Sequence, residues 1–144
     1  FASFISTQSE ISTKLLNQFL SINKKILCLP VVDKNSDELI FKKYDLNYKL
    51  EIGKFGIFEP KYSKKILIPE VILTPCLAFD KYGFRLGYGG GYYDKTFLDM
   101  KNNNKKFISV ALAFDDQKVD QVFYDEYDQR IDYILTEKKL YRAK

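Results

Sequence analysis

Apolar positions along the chain follow two spacings, one typical of strands and the other of helices. Short, nearly continuous apolar runs predict strands at residues 1–5, 25–32, 39–44, 71–74, 107–114 and 133–136. Apolar residues three and four positions apart predict two helices, one following a capping box of Thr7 and Glu10 and ending near Ser21, the other over residues 92–101. The apolar face of the first helix should comprise Ile11, Leu15, Leu16, Phe19 and Leu20.

Strands that alternate with helices indicate an α/β fold, with a mostly parallel sheet flanked by helices. The β-branched run at residues 71–74 suits a buried central strand, and residues 39–44 suit a small edge hairpin. Residues 80–83 should turn between two short strands, whereas Gly53, Gly56 and Pro60 leave residues 50–60 irregular. Ligands of such sheets gather beyond the carboxyl ends of the parallel strands.

Five of the seven glycines fall between Gly83 and Gly91, just before the second predicted helix. Glycine exposes its N–H and reaches positive φ, and a loop that ends at a helix start directs free N–H groups at one point. This pattern predicts a phosphate-binding loop, with Arg85 as its cation and Asp94 as a carboxylate for Mg²⁺. The chain has no Gly-x4-Gly-Lys-Ser/Thr phosphate-loop motif. It also lacks the dinucleotide-binding fingerprint, because Tyr92 stands where that motif needs glycine. A tight hairpin with crowded packing is the alternative interpretation.

The composition limits the kinds of ligand and catalytic group that the chain can use. With 144 residues, 46% of them hydrophobic, the chain should form one domain over residues 1–144. The net charge of +4 suits an anionic ligand but is too small to indicate nucleic acid. The chain has no histidine, which excludes Ser-His-Asp catalysis and leaves oxygen ligands for a hard cation. Cys28 and Cys76 lie in apolar runs as free thiols, and no run suits a membrane span, so we expect a cytoplasmic protein without a membrane partner.

Residues 78–94, read as Ala-Phe-Asp-x-x-Gly-x-Arg-Leu-Gly-Tyr-Gly-Gly-Gly-Tyr-Tyr-Asp, resemble the signature of the 5-formyltetrahydrofolate cyclo-ligase family. Residues 9–13, residues 55–60, and Asp128 with Asp132 before residues 134–137 are also similar to that family, so the resemblance covers nearly the whole chain. It implies the cyclo-ligase fold, which is similar to the sugar-phosphate isomerase and CoA-transferase-like group. It also implies ATP-dependent cyclisation of 5-formyltetrahydrofolate to 5,10-methenyltetrahydrofolate, with release of ADP and phosphate.

The resemblance assigns roles to individual residues. Arg85 and Tyr92 would be catalytic, and Asp94 and Asp128 would hold Mg²⁺. ATP as co-substrate would contact Arg85, Leu86, Gly87, Tyr88, Gly89, Gly90, Gly91, Tyr92 and Tyr93. The folate substrate would contact Ile5, Glu10, Tyr88, Gly89, Gly90, Gly91 and Tyr92. Plainer interpretations stay open: Arg85 in a surface ion pair, Ile5 as core, Glu10 as a capping-box residue, Asp94 as a helix-start carboxylate and Asp128 as part of an acidic loop. The tyrosines at 88, 92 and 93 could be ordinary core or rim aromatics.

The chain departs from the family pattern at several positions. Tyr127 replaces a histidine that usually precedes the metal-binding aspartate, and Phe123 and Asp125 replace a proline and a glutamate. The chain begins with Phe1, and the family's N-terminal helical segment, with a lysine and an arginine for ATP phosphates, has no counterpart among these residues. The alternative hypothesis is therefore a folate- or nucleotide-binding relative without turnover. We expect a monomer, whose partners are 5-formyltetrahydrofolate and ATP.

Overall fold

The computed structural model describes residues 1–7 and 9–144. Its helices are α1 (Lys14–Ile22) and α2 (Tyr92–Asn102), with single 3₁₀ turns at Lys54–Gly56 and Asp115–Gln117. Its strands are β1 (Leu27–Val32), β2 (Leu39–Tyr44), β3 (Leu50–Ile52), β4 (Phe58–Pro60), β5 (Ile66–Leu67), β6 (Val71–Pro75), β7 (Ala78–Phe79), β8 (Arg85–Leu86), β9 (Ile108–Leu112), β10 (Tyr133–Leu135) and β11 (Leu140–Arg142).

The main sheet is built from two groups of strands joined by the first residues of the chain. One group has the order β1-β2-β5 and is antiparallel, and the other has the order β6-β9-β10-β11, with β6, β9 and β10 parallel. Ala2 forms parallel bridges to Cys28 in β1 and to Ile72 in β6. Backbone hydrogen bonds from Ser3 to Cys28 and from Leu73 to Ala2, of 3.0 and 2.9 Å, complete this junction. Residues 1–3 thus act as the central strand of one continuous sheet.

The two faces of the sheet are covered by different helices. Phe97 and Met100 of α2 pack with Cys28, Ile72 and Ala111 in one buried cluster. On the opposite face, Leu20 of α1 packs with Leu27 and Leu29, and Leu16 contacts the cluster of Phe4, Leu73 and Leu112. Alternate residues of the central strands therefore enter different cores, which explains why all six residues of β1 are buried.

Several predictions are confirmed and others are wrong. The α/β architecture, the central position of β6 and the β7–β8 turn are as predicted. The sheet is mixed rather than mostly parallel, because antiparallel strands lie on both sides of the parallel centre. Strand β2 is not an edge, since it pairs with both β1 and β5. Residues 50–60 are not irregular but form the antiparallel β3–β4 hairpin.

The first helix begins later than predicted. Glu10 does accept a hydrogen bond from the Thr7 N–H, at 2.7 Å, but this contact closes a turn, and α1 starts at Lys14. Gln8, inside the predicted helix, lies outside the described residues. Leu15 and Phe19 are exposed, so the predicted apolar face is only partly buried. Among the described residues, no helix combines the length and apolar character needed to cross a membrane.

Candidate active site

Arg85 is held in an ion pair at the start of the glycine loop. The β7–β8 hairpin places its Nη2 atom 3.2 Å from Oδ2 of Asp94 in the first turn of α2, and the two side chains are 4% and 15% exposed. The guanidinium carbon lies 5.5 Å from the centre of the Tyr93 ring. A Cβ atom on Gly87 would lie 3.1 Å from Nη1, so the missing side chain lets the guanidinium lie against the loop. Arg85 Nε is buried without a hydrogen-bond partner among the described residues, which leaves a donor for a ligand.

Asp94 also connects this cation to the segment around Asp128. Its Oδ1 atom accepts a hydrogen bond of 3.0 Å from the Gln129 N–H, so both carboxylate oxygens are bonded. Asp128 itself accepts a hydrogen bond of 2.9 Å from the Asp125 N–H. The two predicted metal ligands therefore lie on adjoining segments. Within residues 1–7 and 9–144, no three acidic, histidine or cysteine side chains converge as a metal site.

The glycine loop, residues 87–91, presents backbone rather than side chains. Gly91 caps α2 with φ of 63° and no side-chain cap, so the first N–H groups of the helix stay free for another acceptor. No acceptor in the described part of the chain bonds the amides of residues 88–94. Gly83, by contrast, serves packing, because its Cβ would lie 2.6 Å from the Ile131 carbonyl oxygen. Close packing also accounts for Gly90, whose Cβ would lie 2.6 Å from the Tyr92 ring, and in part for Gly87, whereas Gly89 and Gly91 have open space or only a distant neighbour.

The charges of Glu10 and Arg85 both act on buried groups beside the glycine loop. Burial raises the pKa of the Cys76 thiol to about 11, while the charge of Arg85 lowers it and that of Glu10 raises it. The same two charges act on Tyr93, whose pKa is raised chiefly by burial. Burial also raises the pKa of Tyr88, and among the further influences the Glu10 carboxylate raises it. Glu10 and Arg85 therefore lie close enough to Cys76 and Tyr93 for both charges to affect the pKa of these groups.

Ile5 and Tyr92 occupy different parts of this region. Ile5 is half-buried and packs on the cluster of Leu20, Leu27 and Leu29, so its core interpretation is supported by these contacts. Tyr92 lies with its ring centre 5.6 Å from that of Phe55. Phe55 is an exposed residue with φ of 60° at the tip of the β3–β4 hairpin. Sequence reasoning gave Phe55 no role; its position before Gly56 was the available signal of a turn.

The Gln117 side chain bonds to the backbone that directly follows β6. Its Nε2 atom donates to the carbonyl oxygens of Cys76 and Leu77, at 2.9 and 3.1 Å, and its Oε1 accepts from the Phe114 N–H. The chain after β6 is thereby tied to the turn after β9.

Two of the grooves on the described surface, of about 450 and 730 Å³, lie away from the candidate site, since neither is lined by Arg85, Asp94 or the glycine loop. The smaller is lined by Arg130, Asp132 and Arg142 with their neighbours, and the larger chiefly by lysines of residues 43–49 and 62–65. A ligand at the candidate site would contact the loop and, beside Tyr92, the tip of the β3–β4 hairpin at Phe55.

Comparisons with known proteins agree with this architecture. Residues 1–137 match the model of the 5-formyltetrahydrofolate cyclo-ligase family. The 5-formyltetrahydrofolate cyclo-ligase of Haemophilus influenzae is 38% identical over 132 residues, which span 88% of this chain and 70% of that protein. The Escherichia coli K12 protein of the same name is 32% identical over 146 residues, covering 97% of this chain and 79% of that protein.

Solved structures of two proteins have a fold similar to that of this chain. The 5,10-methenyltetrahydrofolate synthetase of Aquifex aeolicus superposes with a TM-score of 0.76 and 29% identity, covering 99% of this chain and 71% of that one. The corresponding Mycoplasma pneumoniae structure gives a TM-score of 0.64 and 25% identity, covering 92% and 70%. The chain belongs to the 5-formyltetrahydrofolate cyclo-ligase family.

Proposed function

We propose that this chain converts 5-formyltetrahydrofolate to 5,10-methenyltetrahydrofolate, using ATP and releasing ADP and phosphate. The observation that carries the proposal is the buried Arg85–Asp94 pair beside a loop of free amides at the start of α2, in a chain of this family. A cation, a helix N-terminus and exposed N–H groups together suit a triphosphate.

The chemical obstacle is an unreactive formamide. Transfer of the γ-phosphoryl group to the formyl oxygen breaks the bond to ADP and creates a leaving group on carbon. Attack of N10 on that carbon, with release of the N10 proton to solvent and then loss of phosphate, closes the ring. Both steps ask the protein for positioning and for neutralisation of charge on oxygen, which Arg85 and the loop amides supply. No histidine is needed for them.

Glu10, Tyr88 and Tyr92 are proposed to orient the folate. A carboxylate suits the donor edge of a pterin, since it accepts two charge-assisted hydrogen bonds. The Tyr92 ring, with Phe55 beside it, offers an apolar wall for a planar ligand. The remaining proposed folate contacts are Ile5 and Gly89 to Gly91; Ile5 packs on the cluster of Leu20, Leu27 and Leu29.

The residues present fit Mg²⁺. The ion prefers oxygen ligands and keeps several waters and phosphate oxygens, so one or two carboxylates from the protein are enough to hold it. Asp94 would hold it, and Asp128, whose neighbouring Gln129 amide bonds to Asp94, would be the second ligand. When bound, Mg²⁺ neutralises charge on phosphate oxygens.

Cellular setting and assembly are proposals of the same kind. The two buried free cysteines suit a reducing compartment such as the cytoplasm. A monomer of one domain suits a site whose proposed residues all come from one chain. The parallel centre of the sheet, covered by a helix on each face, supports the likeness to the sugar-phosphate isomerase and CoA-transferase-like group.

The direct test mixes the chain with ATP, Mg²⁺ and 5-formyltetrahydrofolate and follows the absorbance of the methenyl product. Product that requires ATP supports the proposal. Binding of either ligand by calorimetry without product would favour the alternative, a binding protein without turnover. That alternative is favoured by Asp94, whose two carboxylate oxygens are already bonded to Arg85 and Gln129.

A further inference from the structure

Asp80 is a fully buried carboxylate that joins two separate segments of the chain. It lies at the turn of the β7–β8 hairpin and is 0% exposed. Its Oδ1 atom accepts hydrogen bonds from the Tyr82 and Phe84 N–H groups, at 2.9 and 3.1 Å. Its Oδ2 atom accepts a third from the Val122 N–H, at 3.0 Å. A buried charge needs compensation of this kind.

The hairpin turn itself does not need the second carboxylate oxygen of Asp80, Oδ2. An aspartate or asparagine oxygen that bonds the amide two residues later is a common turn device, and one oxygen is enough for it. Oδ2 instead reaches residues 119–131, called here the distal segment. The Val119 N–H also bonds to the Phe79 carbonyl oxygen at 2.9 Å, and the Ile131 N–H to that of Gly83 at 2.9 Å. Asp80 therefore lies in the middle of a junction between hairpin and distal segment.

Both sides of this junction lead to the proposed phosphate site. Phe84, bonded to Oδ1, immediately precedes Arg85. The distal segment continues from Val122 to Asp128 and to Gln129, whose N–H bonds to Asp94. Arg85 contacts Asp94, and Asp94 contacts Gln129. The first of these three residues belongs to the hairpin and the last to the distal segment, the two parts that Asp80 joins.

We propose that Asp80 is a positioning residue for phosphoryl transfer, whose carboxylate sets the spacing between the hairpin that carries Arg85 and the distal segment that carries Asp128. This inference rests on the proposed function. Asp80 touches no proposed ligand. It acts by fixing the positions of Arg85 and Asp128 relative to each other.

The test variant is Asp80→Asn, which has the same shape. Its oxygen can still serve Tyr82 and Phe84, but its NH₂ group would face the Val122 N–H, donor against donor. We expect faster hydrogen exchange at Val122 with Tyr82 and Phe84 still protected. The KM and calorimetric Kd for MgATP should rise about tenfold, as for the loss of one charged hydrogen bond. The KM for 5-formyltetrahydrofolate should change less than twofold.

Two controls separate positioning from stability. Asp132 accepts both its hydrogen bonds, from Ser109 N–H and Oγ at 2.8 Å each, on a single oxygen, so Asp132→Asn can keep both and should match wild type. Ile134→Val, in the buried centre of β10, lowers stability without touching the junction and should leave both KM values unchanged. If Asp80→Asn is too unstable to purify, Tyr124→Ala loosens the same junction from its surface, where the Tyr124 and Phe84 rings stack at 3.7 Å. It should show the same selective loss of MgATP affinity.

The outcomes are distinguishable. A wild-type chain that binds MgATP but forms no product contradicts the proposed function alone, and the Kd and exchange data still test Asp80. Unchanged MgATP affinity in Asp80→Asn, or equal loss for both substrates, overturns the positioning role.

Discussion

Arg85 and Asp94 hold each other in place at the site, through an ion pair of 3.2 Å between side chains that are 4% and 15% exposed. The carboxylate is bonded on its other oxygen to Gln129, so the pair joins β8, α2 and the distal segment. A pair this well buried is costly to break, because removal of one partner leaves the other charge without compensation.

The Arg85→Ala variant should therefore lose stability as well as activity. From sequence alone, melting is expected to be nearly unaffected; the observed burial changes that expectation to a loss of about 3 kcal/mol in the free energy of unfolding. The KM for ATP should rise and kcat should fall. Urea unfolding and steady-state kinetics measure the two effects, with the exposed Arg142→Ala as the matched control that stays near wild type. A urea midpoint equal to wild type would show that the pair contributes nothing.

Glu10→Gln should weaken folate binding selectively. Glutamine can keep the hydrogen bond from the Thr7 N–H but lacks the charge, so the KM for 5-formyltetrahydrofolate should rise about tenfold while that for ATP is unchanged. Glu137 accepts a backbone hydrogen bond in the same way, from Asp115 at 2.9 Å, and Glu137→Gln should leave both KM values unchanged. Parallel rises in both KM values for Glu10→Gln would argue for a structural role of Glu10.

Two glycines with similar φ should respond very differently to alanine. Gly83 and Gly89 have φ of 89° and 93°, but an added Cβ meets the Ile131 carbonyl oxygen at 2.6 Å in one case and open space in the other. Gly89→Ala should cost roughly 1 kcal/mol of conformational strain. Gly83→Ala adds a backbone clash and should cost about 3 kcal/mol or more. Comparable urea midpoints for the two variants would contradict this reading of the hairpin turn.

The hydrogen bond from Tyr141 to Asp115 should make stability depend on pH at both extremes. It lowers the pKa of Asp115 from its ordinary value of 3.8, so the stabilisation is present above that value and is lost as pH falls through the lowered pKa. It raises the pKa of Tyr141 from 10.0 to about 12, so the stabilisation is present below 10 and is lost as pH rises towards 12.

Tyr141→Phe tests this linkage. The difference in urea midpoint between wild type and variant should be constant from about pH 5 to about pH 9 and should shrink on both sides. Tyr133→Phe removes a hydroxyl from the neighbouring strand β10 and should show no such paired loss. A difference that persisted unchanged at both extremes would exclude the proposed coupling.

Local patterns predicted the parts of the fold that depend on local interactions. The position of β6, the β7–β8 turn and α2 followed from apolar spacing and turn residues, and the same stretch contained Arg85 and Asp94. Leu15 and Phe19 were misassigned because helical spacing cannot tell which apolar residues another element covers. The Thr7–Glu10 contact formed as expected, yet it closes a turn, since α1 packs only from Lys14 onward.

Long-range contacts account for what the sequence could not reveal about the site. Phe55 reaches Tyr92 through a hairpin whose glycines suggested irregular structure. The second oxygen of Asp94 bonds to Gln129, 35 positions away, and Asp80 bonds to Val122, 42 positions away. The spacing of apolar residues along the chain carries no information about such distant pairs.

The central place of Ala2 in the sheet bears on how the chain folds during synthesis. Its neighbours, Cys28 and Ile72, are made in turn, so one side of Ala2 stays unpaired until β6 has been translated. Parallel pairing between distant residues is slow to form. The two groups of strands can therefore join through Ala2 only after β6 has been made, so closure of the sheet is a late event in folding.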